Sequence, residues 1–180
     1  MAGIAAKSYC DALFEIAKEE AKLERYKEQL CMVTETFVSD EKFKAVMNHP
    51  KISKEKKKEL LCAIYQSSID SLLMNFLKLL VDKGRFMLLH DITKEFVKSY
   101  NIEHNIQVVY VKSAARLSTQ QIDKLQQTLE QKLDKQVDLV FSIDEELIAG
   151  IRVKINDQII DNSVLSRLTR LKKSVHASEA

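Results

Sequence analysis

Residues that interrupt regular structure are scarce in this chain. Its 180 positions hold three glycines and one proline. These are the least favourable residues in a helix interior, so their scarcity argues against a loop-rich or all-β fold and for long helices. The glycines stand far apart, and no Walker loop, G-x-G-x-x-G or G-x-S-x-G occurs. That leaves no glycine-rich phosphate cradle and no nucleophile elbow. Tryptophan is absent, and the cysteines are Cys10, Cys31 and Cys62, widely spaced, odd in number and without a CxxC pair. Each falls in an apolar helical pattern, where cysteine acts as a small hydrophobe, so reduced thiols, buried or half-buried, are expected. A large charge imbalance is also missing. The net charge of +2 does not mark the whole chain as a polyanion binder. No apolar run approaches the roughly 20 residues that span a bilayer. The most apolar stretch, Leu72 to Val81, is interrupted by Asn75 and Lys78. The N-terminus lacks a basic segment followed by a hydrophobic core, so no secretory signal is expected. Membrane association would come through a partner, without direct insertion.

What is present is enough apolar residue for a core, 46%, beside 30% charged residues, which excludes a disordered chain. Up to about residue 104 the apolar positions follow helical spacing. Tyr9, Ala12, Leu13, Ile16 and Ala17 form a first stripe, and Leu23, Tyr26, Leu30, Val33 and Phe37 a second. No breaker separates them, so two helices and one bent helix are both compatible. A short helix over Lys42 to Met47 ends at Asn48-His49-Pro50. Ser53 is placed to cap the next, which carries Leu60, Leu61, Ile64 and Tyr65. The helix Leu72–Val81 is apolar nearly all round, as expected of a central helix or of one that serves its own domain and a partner. Gly84 is positioned as its left-handed terminator. A last helix over Arg85 to Asn101 completes a six-helix bundle.

From Ile106 the period changes to two. A strand apolar on both faces precedes Ser118-Thr119-Gln120-Gln121, a capping box that opens a helix bearing Ile122, Leu125, Leu129 and Leu133. Val137, Leu139, Phe141 and Ile143 alternate as a second strand. Ile151, Val153 and Ile155 form a third, Asn156-Asp157 a tight turn, and Ile159 and Ile160 a fourth. Asp161, Asn162 and Ser163 are candidate caps for a final helix with Leu165, Leu168 and Leu171. The expected fold is α+β overall: an all-α six-helix bundle over 1–104, then a small β-α-β-β-β-α domain over 105–180 with helices on one face of its sheet.

Chemistry is harder to find. His49, His90, His104 and His176 show no metal-ligand spacing. Asp144-Glu145-Glu146 lies in an inter-strand turn, where solvated charge is the expected state rather than an acid–base pair. The run Lys54, Lys56, Lys57, Lys58 is interleaved with Glu55 and Glu59. It reads first as a solvated face, and it lacks the arginines and stacking aromatics of a nucleic-acid site. Catalysis is therefore the weakest class, with no cofactor and no metal expected. What remains is surface for protein contact. Ala5, Ala6, Ala12 and Ala17 beside Tyr9, Leu13 and Ile16, together with the Leu72–Val81 helix, can form a groove for an amphipathic helix. The same stripes can equally serve only the bundle's own core.

Several segments are similar to one family. The tail LIAGIRVKINDQIIDNSVLSRLTRL, Leu147 to Leu171, resembles the C-terminal signature of the delta subunit of bacterial F-type ATP synthase, relative of the mitochondrial oligomycin-sensitivity-conferring protein. Tyr9-x-x-Ala12-Leu13-Phe14 resembles the family's opening helix, Asn48-His49-Pro50-Lys51-Ile52 its helix break, and Phe76 to Phe86, FLKLLVDKGRF, its central helix and turn. Val111-Lys112-Ser113-Ala114 followed by Leu117-Ser118 resembles its strand-to-helix entry. The likeness runs in order over nearly the whole chain. It departs at Ala149-Gly150, where many members have Gly-Gly, at Asn156 in place of Gly, and at Arg116 in place of Pro.

The resemblance implies a non-catalytic stator subunit, one copy in a hetero-oligomeric complex, held as a peripheral protein at the cytoplasmic face of the bacterial membrane. The bundle would bind N-terminal helices of alpha subunits of the catalytic head, in a groove assigned to Tyr9, Ala12, Leu13, Ile16, Phe76, Leu77 and Leu80. The second domain would meet the C-terminal ends of the membrane-anchored b subunits, through Leu165, Arg167, Leu168, Arg170 and Leu171. The alternatives are a stand-alone adaptor using the same groove, and a nucleic-acid binder resting on the lysine run.

Overall fold

A computed structural model describes residues 2–144, 147, 149–156 and 158–161. The chain divides into two compact units, Met1–Tyr100 and Asn101–Ala180. The helices of the first half are α1 (Ala2–Glu19), α2 (Leu23–Ser39), α3 (Glu41–Asn48), α4 (Lys54–Tyr65), α5 (Ser71–Asp82) and α6 (Leu89–Glu103), with a 3₁₀ turn over Phe86–Leu88 before α6. Local chemistry accounts for several of their ends. Asp40 accepts from the backbone N–H of Lys42 at 2.8 Å and of Phe43 at 3.1 Å, starting α3. Ser53 accepts from Lys56 N–H at the head of α4. Both satisfy amide groups that the first helical turn leaves without a partner.

Two helix ends close by the same left-handed turn. At the end of α5, Gly84 has φ +64°, its N–H bonds Val81 C=O at 3.0 Å, and Arg85 N–H reaches back to Leu80 C=O at 2.8 Å. Glycine is the residue expected there. At the end of α1 the pattern recurs with alanine. Ala21 has φ +54°, Ala21 N–H bonds Lys18 C=O at 3.1 Å, and Lys22 N–H bonds Ala17 C=O at 2.9 Å. This turn separates α1 from α2 where no breaker stands in the sequence. Side chains hold it: Glu20 pairs with Lys22 at 2.9 Å and accepts from the Tyr26 hydroxyl at 3.2 Å. The Lys22 hydrogen bond is the main reason the Glu20 carboxyl lies below its usual range, and burial first, then Glu20, pushes Tyr26 up to about 12.

Burial sorts the first unit into one core. Tyr26, Leu30 and Val33 of α2, Leu61 of α4, Leu73, Leu77 and Leu80 of α5, and Leu89, Ile92 and Phe96 of α6 are fully enclosed. Phe86 drops into this core beside Phe37 (5.2 Å between ring centroids) and Phe43 (6.3 Å), both edge-to-face. That anchoring explains why the expected helix from Arg85 begins instead as a 3₁₀ turn and becomes α-helical only at Leu89. The Thr34 and Thr93 hydroxyls, both buried, satisfy each other across α2 and α6 at 2.7 Å.

The second unit holds β1 (Ile106–Ser113), α7 (Thr119–Leu133), β2 (Gln136–Ile143), β3 (Ile151–Ile155) and β4 (Gln158–Asp161). The strand order is β2-β1-β3-β4, with β1 parallel to β2, and β1–β3 and β3–β4 antiparallel. The capping box at Ser118 and Gln121 is formed in both directions. Leu125, Leu129 and Leu133 of α7 pack on Val109, Val111, Val137 and Val153, the alternate residues of one sheet face. Asn156, at φ +51°, supplies the positive φ of the β3–β4 turn. The class is thus α+β, mostly helical, with a four-stranded mixed sheet. Asp161, a candidate cap, is the last residue of β4 and pairs with Arg152, because the strand ladder takes up its backbone. Asn162, Ser163 and the expected final helix lie outside the described residues.

Alanine in the left-handed region carries a steric penalty that glycine avoids. Ala21→Gly is expected to raise stability by about 0.5–1 kcal/mol, net of glycine's larger unfolded entropy. The check is a higher urea midpoint at unchanged slope; a midpoint that falls would contradict this account of the turn.

Candidate functional site

Two apolar stripes on α1 and α5 stay on the surface. On α5, Leu73, Met74, Leu77, Leu80 and Val81 occupy the core side. Leu72, Phe76 and Leu79 follow one another at i, i+4 and i+7 along the side turned away. Leu72 is 37% exposed and Leu79 42%, while Phe76 is half-buried. On α1, Ala6, Cys10, Leu13 and Ala17 face inward. Ala5, Tyr9, Ala12 and Ile16 form the flank, again one residue per turn, with Ile16 41% exposed.

The stripes meet at Tyr9 and Phe76, whose rings lie edge-to-face with centroids 6.3 Å apart and an interplanar angle of 73°. Arg85 secures the junction. Its Nη1 donates to the Tyr9 hydroxyl at 3.3 Å, and its guanidinium carbon lies 5.7 Å from the Tyr9 ring centroid. The left-handed Gly84 turn directs Arg85 back toward α1. The small side chains of Ala5 and Ala12 keep the α1 flank low on either side of Tyr9.

Of the seven residues assigned to a groove, the structure therefore separates two sets. Tyr9, Ala12, Ile16 and Phe76 lie at or near the surface, with Tyr9 touching Phe76. Leu13, Leu77 and Leu80 are enclosed in the core, so they support the site from beneath and do not line it. The reason is angular: Leu13 on α1, and Leu77 and Leu80 on α5, stand on the side of their helix that joins the unit's single core. Leu72 and Leu79, exposed on this side of α5, and Arg85, which contacts Tyr9, were not among the seven. The first two were visible in the i, i+4, i+7 spacing with Phe76; Arg85 was not, since its partner Tyr9 is 76 residues away.

Other candidate chemistry is quiet. Among the described residues no group of three His, Cys, Asp or Glu is placed to hold a metal ion, and no helix is long and apolar enough to cross a membrane. Asp144 is engaged by Lys112 at 3.3 Å with its side chain only 16% exposed, so it is paired and largely covered rather than freely solvated as expected; Glu145 and Glu146 lie outside the described residues. All three cysteines are free thiols. Burial pushes Cys10 up to about 11 and Cys31 also upward, so neither is an activated nucleophile. In the second unit, Leu165, Arg167, Leu168, Arg170 and Leu171 lie outside the described residues. There the sheet face without α7 presents Tyr110, 52% exposed, between Val140 and Lys154 in the register.

This arrangement offers apolar contact surface. The model of the family "ATP synthase delta (OSCP) subunit" matches residues 5–175. The chain belongs to that family. Its curated relatives include ATP synthase subunit delta of Clostridium kluyveri, 34% identical over 167 residues that cover 93% of this chain and 92% of the relative. The same subunit of Bacillus cytotoxicus is 35% identical over 173 residues, 96% of each chain. The fold is also similar to a chain of the Toxoplasma gondii mitochondrial ATP synthase hexamer solved by cryo-EM, with a TM-score of 0.73 at 23% identity over 94% of this chain and 96% of that one. A delta subunit is a structural component of the F-type ATP synthase, in its peripheral stalk, and is not itself catalytic. Its role in ATP synthesis and ion transport is that of the complex.

The division between core and surface leucines has measurable consequences. Leu80→Ala is expected to destabilise by about 2–5 kcal/mol, whereas Leu79→Ala, one residue away, is expected to stay within about 0.5 kcal/mol of wild type. Comparable losses in thermal or urea unfolding would contradict the placement. Native-state alkylation near pH 8 is expected to modify Cys31 and Cys62 before Cys10, read by peptide mass mapping.

Proposed function

We propose that this subunit ties the catalytic head to the membrane-anchored stalk from two ends. The helical bundle, residues 1–104, takes N-terminal helices of alpha subunits along the α1 and α5 stripes. The second domain, 105–180, meets the C-terminal ends of the b subunits, with Leu165, Arg167, Leu168, Arg170 and Leu171 as its proposed contacts. The chain sits as one copy in the complex, peripheral to the membrane on its cytoplasmic face.

The observation that carries this reading is the Tyr9–Phe76 junction between two exposed apolar stripes of helical spacing. An amphipathic helix laid there would place anchors at i, i+3 or i+4, and i+7 against Ile16, Tyr9 and Phe76, and against Leu72 and Leu79. Rotation inside the head exerts torque that a stator must resist through every cycle. Exposed ion pairs contribute little, about 0–1 kcal/mol each, and weaken with salt. Buried apolar anchors carry most of the energy of a protein interface, so a joint built on α1 and α5 holds where a charged one would slip.

Titrating a synthetic N-terminal peptide of the organism's alpha subunit into Ile16→Asp and Leu79→Asp by calorimetry tests the assignment. Each substitution is at an exposed position, so folding by circular dichroism is expected to be unchanged. Affinity is expected to fall at least about tenfold, near 1.4 kcal/mol, and wild-type affinity to vary little with salt. Wild-type binding by both folded variants would remove the groove.

A further inference from the structure

The turn that secures the groove also forms the wall of a separate cup. Gly84 and Phe86, on either side of Arg85, line a depression of about 370 Å³ at the meeting of α3, α4 and α5. Met47, Val81 and Phe86 are its buried apolar residues, and Ile52 and Met87 stand higher on the wall. Met87 is 50% exposed, a large flexible apolar side chain left in water beside an apolar hollow. Methionine adapts its shape readily to a partner surface. No side-chain atom needs displacing to enter beside Gly84: a Cβ built there meets nothing within 4 Å.

The lip of the cup is basic. Lys54 and Lys57 belong to its lining, and no carboxylate does. The neighbouring Asp82 is already engaged, its carboxylate by Lys58 at 2.5 Å and its carbonyl by the Lys54 ammonium at 2.8 Å. The remaining carbonyls at this end of α5 are closed by the Gly84 turn, Val81 by Gly84 N–H and Leu80 by Arg85 N–H. The negative end of the helix is thereby largely offset, and the lysines set the local sign. An apolar floor beneath ammonium groups matches an apolar side chain with a carboxylate close by in its own chain. A small-molecule site would instead show a few convergent buried polar groups, and none lines this cup.

We propose that the cup is a second subsite of the head-binding interface. It receives an apolar side chain flanked by a carboxylate, from the stretch of alpha-subunit chain that adjoins the groove-bound helix. This rests on the groove reading above, and continuity supports the extension. Arg85 grips Tyr9 in the groove while its two neighbours in sequence wall the cup, so the two sites share the 84–86 turn. The lysine run, which reads in sequence as a solvated face, acquires a role at two of its positions.

The test uses the full chain, with two synthetic alpha-subunit peptides: one limited to the N-terminal helical segment, one extended beyond it at both ends. Met87→Glu and Lys57→Glu alter the cup, and Ile16→Asp alters the groove. The cup variants are expected to bind the extended peptide roughly tenfold more weakly and the short peptide as wild type does, while Ile16→Asp weakens both. Lys57→Glu is further expected to reduce the salt dependence of extended-peptide binding. Undiminished extended-peptide affinity in both folded cup variants, with Ile16→Asp impaired, overturns the cup and leaves the groove. Wild-type binding of both peptides by Ile16→Asp overturns the groove and, with it, the cup as its extension. Self-association of the wild type in sedimentation, abolished by Met87→Glu, would assign the cup to a second copy of this chain and likewise overturn the proposal.

Discussion

Apolar side chains on almost every side of one short helix have to be kept from water, and α5 sets this condition for the first unit. Leu73, Met74, Leu77, Leu80 and Val81 satisfy it inward, in one core shared with residues of α2, α4 and α6. Leu72, Phe76 and Leu79 do not fit on that side, because residues at i, i+4 and i+7 lie more than a quarter-turn round the helix from the centre of the core arc. Their surface is the part of α5 that folding alone cannot bury. The α1 flank is arranged to meet it: Tyr9 lies against Phe76, Arg85 fixes Tyr9, and alanines on either side keep the surface low. The first unit thus carries a contiguous apolar face, the one on which the proposed contact with the catalytic head rests.

Rigidity under that face comes from features without any chemistry of their own. The Gly84 turn closes α5 and aims Arg85; the aromatic cluster of Phe37, Phe43 and Phe86 pins the segment that follows. A face held by its own core keeps its shape before a partner arrives, and pre-organisation lowers the ordering entropy lost on binding. In the second unit the same economy appears as a sheet with α7 packed on one face only, leaving Tyr110 and its neighbours on the other.

Much of the fold was legible because its signals are local. Ser53, the Ser118–Gln121 capping box, Gly84 and Asn156 each act on backbone groups a few residues away, so spacing alone locates them. The Ala21 turn was not legible, since alanine does not announce a left-handed residue and the turn is held by Glu20, Lys22 and Tyr26 acting together. The 3₁₀ start of α6 was hidden for a similar reason: Phe86 is drawn down by rings from α2 and α3. For the candidate site, the apolar excess of α1 and α5 was legible in their composition, while the choice between Leu79 and Leu80 as the outward leucine was not.

By itself, then, the sequence determined the change from helical to strand period near residue 104, the caps and turns, and the family, because each depends on residue type and short-range spacing. Only the tertiary structure decided which arc of α5 faces water, that Leu13, Leu77 and Leu80 are core, that Tyr9 meets Phe76 under Arg85, and that a hollow opens beside the lysine run. The physical reason is that burial is a property of neighbours. A leucine's type is written in the chain, but whether it is covered depends on helices that arrive from elsewhere in it.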